Sequence, residues 1–314
     1  MRRLADLAAA PFVFLAALLL ALVRRAGLET LPACRRMLDA AGLLPVRRHY
    51  YEPYLDAALL PPEGERAVGG IAWDEPGQLA LLDALVPFAP ELAALAEGAP
   101  AAGDTPGFRF GNGMFEAGDA EFLYAWLRLR RPKRVFEVGS GYSTLVAARA
   151  LQRNREEGAP AARHVCIEPY EAPWLARVGV ELVRRPVERL GTAFFSELGR
   201  GDLLFIDSSH VIRPGGDVLF QVLELLPALA PGVTVHLHDI FSPLDYPRAW
   251  LAEKRLLWNE QYLVEAFLSG HREWRVAAAL ALLHRRHFER LRAVCPFVTS
   301  ASRPGSLYLE KRAA

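Results

Sequence analysis

Two short segments in the second half of the chain carry side chains that can bind a cation. One is DSSH at residues 207–210, and the other is HLHD at residues 236–239. Asp207 and Asp239, with His238 adjacent, could present ligands to Mg²⁺ or Mn²⁺, because carboxylate oxygens suit these ions. Both segments follow short apolar runs, so we expect them to meet at one edge of a sheet.

His210 is the candidate for moving a proton. It follows Asp207 by three residues, and an imidazole can take a proton from a substrate hydroxyl near neutral pH. Capping of strand ends is the structural alternative for Asp207, His210 and Asp239. We expect His236, one pleat deeper than His238, to be a hydrogen-bonded core histidine.

A glycine pair earlier in the chain could hold a ligand against backbone. In EVGSGYST, residues 137–144, Gly139 and Gly141 follow an apolar run and precede a helical pattern. A loop without side chains lets a ligand approach the chain there. A dinucleotide-binding loop would have a third glycine at position 144, where Thr144 stands. Glu137 completes an acid-x-Gly-x-Gly pattern, and a simple tight turn is the alternative.

Glu168 ends the second apolar run, HVCIEPY. A carboxylate at the tip of the second strand can accept the ribose hydroxyls of an adenosine ligand. A solvated strand-end acid is the alternative, and the position beside the glycine loop favours the binding role.

The elements that carry these residues alternate between strands and helices. Such alternation predicts a doubly wound, Rossmann-like α/β fold with a mostly parallel sheet and helices on both faces. The predicted strands are Arg134–Val138, His164–Ile167, Leu203–Asp207, Val233–His238 and a late Ser306–Glu310. The predicted helices are Gln78–Val86, Glu91–Glu97, Ala120–Arg130, Thr144–Arg155, Val218–Leu229 and a long stretch over Arg275–Val294. The Gly- and Pro-containing run Gly98–Gly107 is predicted to be a linker.

In this order, EVGSGYST, CIEPY, LLFIDSSH and HLHDIF resemble class I S-adenosylmethionine-dependent methyltransferases. Within that class they are similar to the bacterial group related to macrocin-type sugar O-methyltransferases. The segments DYP at 245–247 and WNEQY at 258–262 also resemble that group. The resemblance covers residues 108–310, and it is more specific for fold and cofactor than for substrate.

The resemblance implies a site for S-adenosylmethionine. Gly139 and Gly141 would border its methionine part, Glu137 would lie near its amino group, and Glu168 would hold its ribose. The implied cofactor-binding residues are Glu137, Gly139, Ser140, Gly141, Thr144 and Glu168.

The resemblance also implies that Asp207 binds Mg²⁺ and that His210 is the base. The related enzymes continue with an acidic pair as further ligands, where this chain has His238 and Asp239. One ligand therefore differs in type, which favours Mn²⁺ over Mg²⁺ or a reaction without metal.

The N-terminus carries a charge-free run, Leu7–Val23, between Arg2-Arg3 and Arg24-Arg25. Seventeen helical residues span about 26 Å, close to the roughly 30 Å hydrocarbon core of a bilayer. Three interpretations stay open: a membrane anchor, a helix lying on the membrane surface, and a soluble helix packed on a domain or partner. If the run spans a membrane, the arginine distribution places the catalytic domain on the cytoplasmic side.

Composition limits the possible partners. The 314 residues carry 37 basic and 36 acidic side chains, so a general nucleic-acid-binding surface is not expected. Residues 1–50 nevertheless hold eight arginines and three acids, which favours an anionic membrane surface. The three cysteines form no CxxC pair, and we expect reduced thiols, with Cys166 acting as a small apolar residue.

The sequence therefore predicts a membrane-associated O-methyltransferase that acts on a glycan or glycolipid-like hydroxyl. The predicted organisation is an apolar helix over 1–25, a lead-in over 26–107 and a catalytic domain over 108–314. Its aromatic segment 241–270 would form the acceptor wall. An NAD-type oxidoreductase, a non-catalytic membrane-tethered binding protein and a metal-dependent hydroxylase-like relative stay open as alternatives.

Overall fold

A computed structural model gives the structure of the protein. It describes residues 2–49, 51–93, 107–170 and 172–313. Most of the predicted linker at 98–107 lies outside these residues, as do residues 94–97 of a helical stretch predicted from Glu91 onward.

The chain divides into two compact units. The smaller is made of Met1–Pro62 with Ala249–Leu257, and the larger of Glu63–Arg248 with Trp258–Ala314. Residues of the predicted lead-in contribute to the core of the larger unit, because Leu82 and Leu85 are buried there.

The larger unit is built on a seven-stranded sheet in the order β3-β2-β1-β4-β5-β7-β6. Strands β1 to β5 run parallel, and β7 lies antiparallel between β5 and β6. The strands are β1 (Arg134–Val138), β2 (Arg163–Ile167), β3 (Glu181–Val183), β4 (Leu203–Ile206), β5 (Thr234–Leu237), β6 (Trp274–Ala279) and β7 (Leu307–Lys311). This arrangement confirms the predicted mostly parallel Rossmann-like fold.

Helices cover both faces of the sheet, which explains why the central strands are apolar along their whole length. Every residue of β4 and β5 is buried. The helices of this unit are α3 (Glu75–Leu85), α4 (Asp119–Arg130), α5 (Tyr142–Glu156), α6 (217–228), α8 (Glu260–Leu268), α9 (Leu280–Arg286) and α10 (Phe288–Val294). Helix α6 contains a π-helical turn, Gln221–Leu225.

Part of the long helical stretch predicted over Arg275–Val294 is wrong. Residues Trp274–Ala279 form strand β6, which pairs with β7, and helices begin only at Leu280. The sequence RVAAALALL has high helix propensity, but pairing with β7 and burial of four consecutive residues override it. The short strand β3 was not predicted either.

The smaller unit contains helix α1 (Arg2–Ala26), α2 (Pro32–Ala40) and residues of α7 (Arg248–Ala252). Helix α1 is the one described helix that is long and apolar enough to cross a membrane, and an 18-residue window within it has a mean hydropathy of 2.4. None of its residues is buried, and Phe12 and Leu4 are each 74% exposed.

Candidate active site

The loop after β1 lies directly against the loop after β4. Gly139 has φ +80°, and a Cβ built there would lie 1.7 Å from the carbonyl oxygen of Asp207. The amide of Asp207 also donates to the carbonyl of Val138 at 2.8 Å. Only glycine fits this contact, because any other residue would place its Cβ against the carbonyl oxygen of Asp207. The predicted cofactor loop, residues 139–144, and the predicted acid–base loop, residues 207–210, are therefore in direct contact.

Glu137 and Thr144 brace the glycine loop from beneath. Glu137 is 1% exposed, and its Oε2 accepts hydrogen bonds from Thr144 Oγ1 at 2.8 Å and Ser143 Oγ at 3.3 Å. Its Oε1 pairs with His164. Thr144 Oγ1 also accepts from the amide of Gly141 at 3.1 Å. Protein groups therefore engage both oxygens of Glu137, and its proximity to a cofactor amino group stays a prediction.

The upper side of the same loop offers groups for a ligand. A Cβ at Gly141 would meet open space, and the Oγ of Ser140 is buried with no hydrogen-bond partner among the described residues. Glu168 faces this loop from the end of β2, where its Oε2 accepts from the amide of Ser140 at 3.3 Å and its Oε1 from that of Tyr170 at 2.8 Å. A polar, adenosine-containing ligand would fit here. It could occupy the space at Gly141 and form hydrogen bonds with Ser140 Oγ and the half-buried carboxylate of Glu168.

Asp207, His238 and Asp239 meet at the ends of β4 and β5. Their candidate ligand atoms lie within 4.8 Å of one another. His238 Nδ1 is 3.6 Å from Asp207 Oδ2 and 3.7 Å from Asp239 Oδ2, too far for hydrogen bonds. Within the described chain, Nδ1 is buried and has no hydrogen-bond partner. An unpartnered nitrogen between two carboxylates fits a shared cation with mixed N and O ligands.

His210 stands beside this group with both ring nitrogens engaged. Its Nε2 lies 3.1 Å from Asp207 Oδ1 and 3.9 Å from Asp239 Oδ2, and its Nδ1 lies 2.8 Å from Glu260 Oε2. The ring packs against Trp258, with centroids 4.2 Å apart. The sequence analysis missed Glu260 as a functional residue. Glu260 lies in the WNEQY segment, and the resemblance of that segment was the one indication of its role. Spacing rules could not pair it with His210, because the two residues are fifty positions apart in the sequence.

Electrostatics in this cluster favour charged histidines beside an ionised Asp207. Burial opposes charge, but Asp207 and Glu260 hold the pKa of His210 well above its ordinary value. In the same way Asp239 and Asp207 raise the pKa of His238. The partial burial of Asp207 opposes its charge, but His238 and His210 hold its pKa far below its usual range. Burial and the charge of Asp207 raise the pKa of Asp239 to about 6, although the two histidines oppose this.

Neighbouring helices fix the acid–base loop. The amide and hydroxyl of Ser209 donate to Asp217 at 2.8 and 2.7 Å, at the start of α6. Ser208 exchanges hydrogen bonds with Gln221, the first residue of the π-helical turn. The loop is therefore held before any ligand binds, as catalysis by positioned groups requires.

Two further groups belong to the interior. His236 Nε2 bonds to Ser306 Oγ at 2.7 Å and its ring stacks on Tyr308, which fits the expected core histidine. Cys166 lies with Glu137 and His164 in a buried group of possible metal ligands. Burial raises the pKa of its thiol well above the ordinary value, so Cys166 stays protonated and fits the expected apolar role.

The predicted aromatic wall separates into parts. Trp258 contacts His210, and the buried Tyr246 contacts Trp258 with centroids 6.1 Å apart. Phe267 packs instead against Trp274 of β6. Trp250 belongs to the smaller unit.

The chain is similar to known proteins over part of its length. A family model described as a methyltransferase domain matches residues 136–240, from β1 to the end of the HLHD segment. An uncharacterized protein of Archaeoglobus fulgidus is 34% identical over 92 residues. That match covers 28% of this chain and 40% of the relative's length.

Among solved structures, an O-methyltransferase from Bacillus cereus in complex with SAH is 14% identical, with a TM-score of 0.34 over 73% of this chain and 90% of that one. A putative methyltransferase from Thermobifida fusca is 13% identical, with a TM-score of 0.34 over 77% and 100%. Since these similarities are low, the assignment rests on the family match alone. Residues 136–240 match a methyltransferase domain, and for this part of the chain the predicted methyltransferase is confirmed.

Proposed function

We propose that the protein transfers the methyl group of S-adenosylmethionine to a hydroxyl of a glycan or glycolipid-like acceptor, at the cytoplasmic face of a membrane. The observation that carries this proposal is the contact of Gly139 with the carbonyl of Asp207. This contact places the side of the glycine loop with space for a ligand next to Asp207, His210, His238 and Asp239. These four residues can bind a cation and accept a proton.

On the donor side, the loop around Ser140 and Gly141 holds the methionine part of the donor, and Glu168 accepts its ribose hydroxyls. In the reaction the acceptor oxygen forms a bond to the methyl carbon as the carbon–sulfur bond breaks. The electron pair of that bond stays on sulfur, and S-adenosylhomocysteine leaves. Since the sulfonium is already activated, the protein mainly aligns donor and acceptor.

On the acceptor side, His210 Nε2 takes the hydroxyl proton. Asp207, His238 and Asp239 are the residues that would hold a divalent cation, and their mixed donor set favours Mn²⁺ over Mg²⁺. Such a cation, when bound, would lower the pKa of the acceptor hydroxyl and offset the carboxylate charge that keeps His210 protonated. Trp258 and Tyr246 supply an apolar surface beside the base.

Helix α1 supports the membrane part of the proposal. Its apolar side chains are exposed on all sides, and the arginines Arg24 and Arg25 end it. Exposed apolar surface of this extent is unfavourable in water and is typical of membrane contact.

The activity test measures S-adenosylhomocysteine release from the full-length protein with a panel of free sugars and lipid-linked glycans, with and without Mn²⁺. Calorimetry with S-adenosylmethionine runs in parallel. We expect binding without acceptor, and release only when a hydroxyl acceptor is present. Absence of binding would overturn the proposed donor, and binding without turnover on any acceptor would favour a non-catalytic binding protein.

The membrane test is flotation with vesicles that contain anionic lipid. We expect the wild type to float and the double variant Leu15→Glu, Leu19→Glu to remain in solution. Leu44→Glu, at another exposed leucine of the smaller unit, is the matched control and should still float. Flotation of the double variant would contradict the role of α1.

A further inference from the structure

Three consecutive residues, Trp258, Asn259 and Glu260, contact His210. They lie outside the glycine loop and outside the group of Asp207, His238 and Asp239. The ring of Trp258 packs on the imidazole of His210, and the amides of Asn259 and Glu260 donate to its carbonyl oxygen at 3.0 and 3.2 Å. The side chain of Asn259 also accepts from the amide of Ile212 at 2.6 Å. These contacts hold His210 at φ +59°, a conformation that a non-glycine residue rarely adopts.

The two nitrogens of His210 have different surroundings. Glu260, which faces Nδ1, has a side chain that is 1% exposed. Asp207, which faces Nε2, has a side chain that is 34% exposed. Asp239, the second carboxylate on the Nε2 side, is 3.9 Å away. Nδ1 therefore points into the protein, and Nε2 points to the edge where an acceptor can reach it.

Glu260 has one charged partner among the described residues, and that partner is His210. Its other oxygen, Oε1, is buried and has no hydrogen-bond partner in the described part of the chain. A buried carboxylate with a free oxygen is unfavourable for folding, because the lost hydration is only partly replaced. Retention of such a group points to a task at the imidazole.

We propose that Glu260 is the positioning residue of the base. Its carboxylate accepts the Nδ1 proton of His210, which leaves the Nε2 lone pair as the site that takes the acceptor's proton. It also stabilises the imidazolium that forms when the methyl group is transferred. The inference rests on the proposed function. A carboxylate suits this task because it only accepts hydrogen bonds, whereas an amide can present its NH₂ to Nδ1 and favour the wrong tautomer.

The kinetic test compares Glu260→Gln in the wild type and in a His210→Ala background. In the wild type we expect kcat to fall at least 100-fold, with the acceptor KM and the Kd of S-adenosylmethionine within about twofold. In the His210→Ala background we expect no further loss. Equal losses in both backgrounds would overturn the proposal, because they would show that Glu260 does not act through His210.

Two more variants refine the test. Glu260→Asp keeps the charge, so it should retain more activity than Glu260→Gln. Glu265→Gln removes another buried carboxylate of α8, one that pairs with Arg66, and should lower stability while kcat stays within about twofold. Greater activity of Glu260→Gln than of Glu260→Asp would contradict the positioning role.

A spectroscopic test needs no acceptor, so it separates failure of this inference from failure of the proposed function. We expect a far-downfield, slowly exchanging imidazole N–H proton in the NMR spectrum of the full-length protein. It should vanish in His210→Ala and in Glu260→Ala but remain in Glu265→Gln. Its persistence in Glu260→Ala would overturn the assignment even if the protein proves inactive.

Discussion

The glycine loop and the two acid–base loops, which follow β4 and β5, meet at the carboxyl edge of the sheet and are built in opposite ways. In the glycine loop, residues 139–144, the positive φ angle falls on Gly139, and Glu137 and Thr144 satisfy each other and the loop amide of Gly141. In the acid–base loops, the positive φ angles fall on His210 and Asp239, at 59° and 57°.

The acid–base side also places like charges together. Asp207 and Asp239 both face His238, whose Nδ1 has no hydrogen-bond partner among the described residues. Strain and unsatisfied groups persist where function needs them, and they reduce stability. We therefore expect substitutions at the residues that support the glycine loop to lower the free energy of unfolding. Substitutions in the acid–base loops should lower the rate of methyl transfer more than the stability.

The largest expected effect is on the chemical step. Replacing His210 by alanine removes the proposed base, so kcat should fall by about 10²–10⁴-fold, the usual contribution of a general base. Binding of S-adenosylmethionine should be unchanged, because no donor-loop residue bonds to this side chain. Steady-state kinetics and calorimetry on the same preparation check this. An active His210→Ala variant would refute the role of the base.

Much of this edge could be predicted from the sequence, because local patterns determine it. The strands that carry Glu137, Glu168, Asp207 and His238 are short apolar runs. Because these strands are parallel, their carboxyl ends lie at the same edge of the sheet. The alternation of strands and helices was sufficient to place the donor and acid–base residues at the same edge.

The parts that could not be predicted depend on distant contacts. Glu260 reaches His210 across fifty residues, and the pairing of Glu137 with His164 depends on strand register. Strand β6 exists because β7 offers it an edge, although its own sequence favours a helix. Local propensity and spacing carry no information on such contacts.

The next effect separates two glycines of one loop. Gly141→Leu directs a side chain into open space, so folding should tolerate it while the Kd of S-adenosylmethionine rises at least 100-fold. Gly139→Ala instead meets the backbone of Asp207 and should mainly lower the free energy of unfolding. Calorimetry and thermal unfolding of both variants measure the two effects. Wild-type affinity in Gly141→Leu would place the donor elsewhere.

A smaller effect tests the group of Asp207, His238 and Asp239, in which Nδ1 of His238 has no hydrogen-bond partner among the described residues. If Mn²⁺ fills the group around His238, it should stabilise the protein by about 2.7 kcal/mol at a hundredfold excess over Kd, which is roughly 4–5 °C in Tm at this chain length. Asp239→Asn should abolish this gain. In EDTA its Tm should equal or exceed that of the wild type, because one of two like charges is gone. A Tm increase with Mn²⁺ that persists in Asp239→Asn would argue against this site.

The smallest effect tests the hydrogen bonds that join Glu137 and Thr144 to the glycine loop. Thr144→Val keeps the shape but removes the hydroxyl that joins Glu137 to the amide of Gly141. That amide loses its partner, and Glu137 Oε2 keeps only the longer bond from Ser143. We expect the free energy of unfolding to fall by about 1–3 kcal/mol. Ser143→Ala removes a longer bond to the same carboxylate, at 3.3 Å, and should lose less. Urea unfolding of both variants measures the difference. If Thr144→Val were as stable as the wild type, the glycine loop would not owe its shape to these bonds, and the contrast with the acid–base loops would fail.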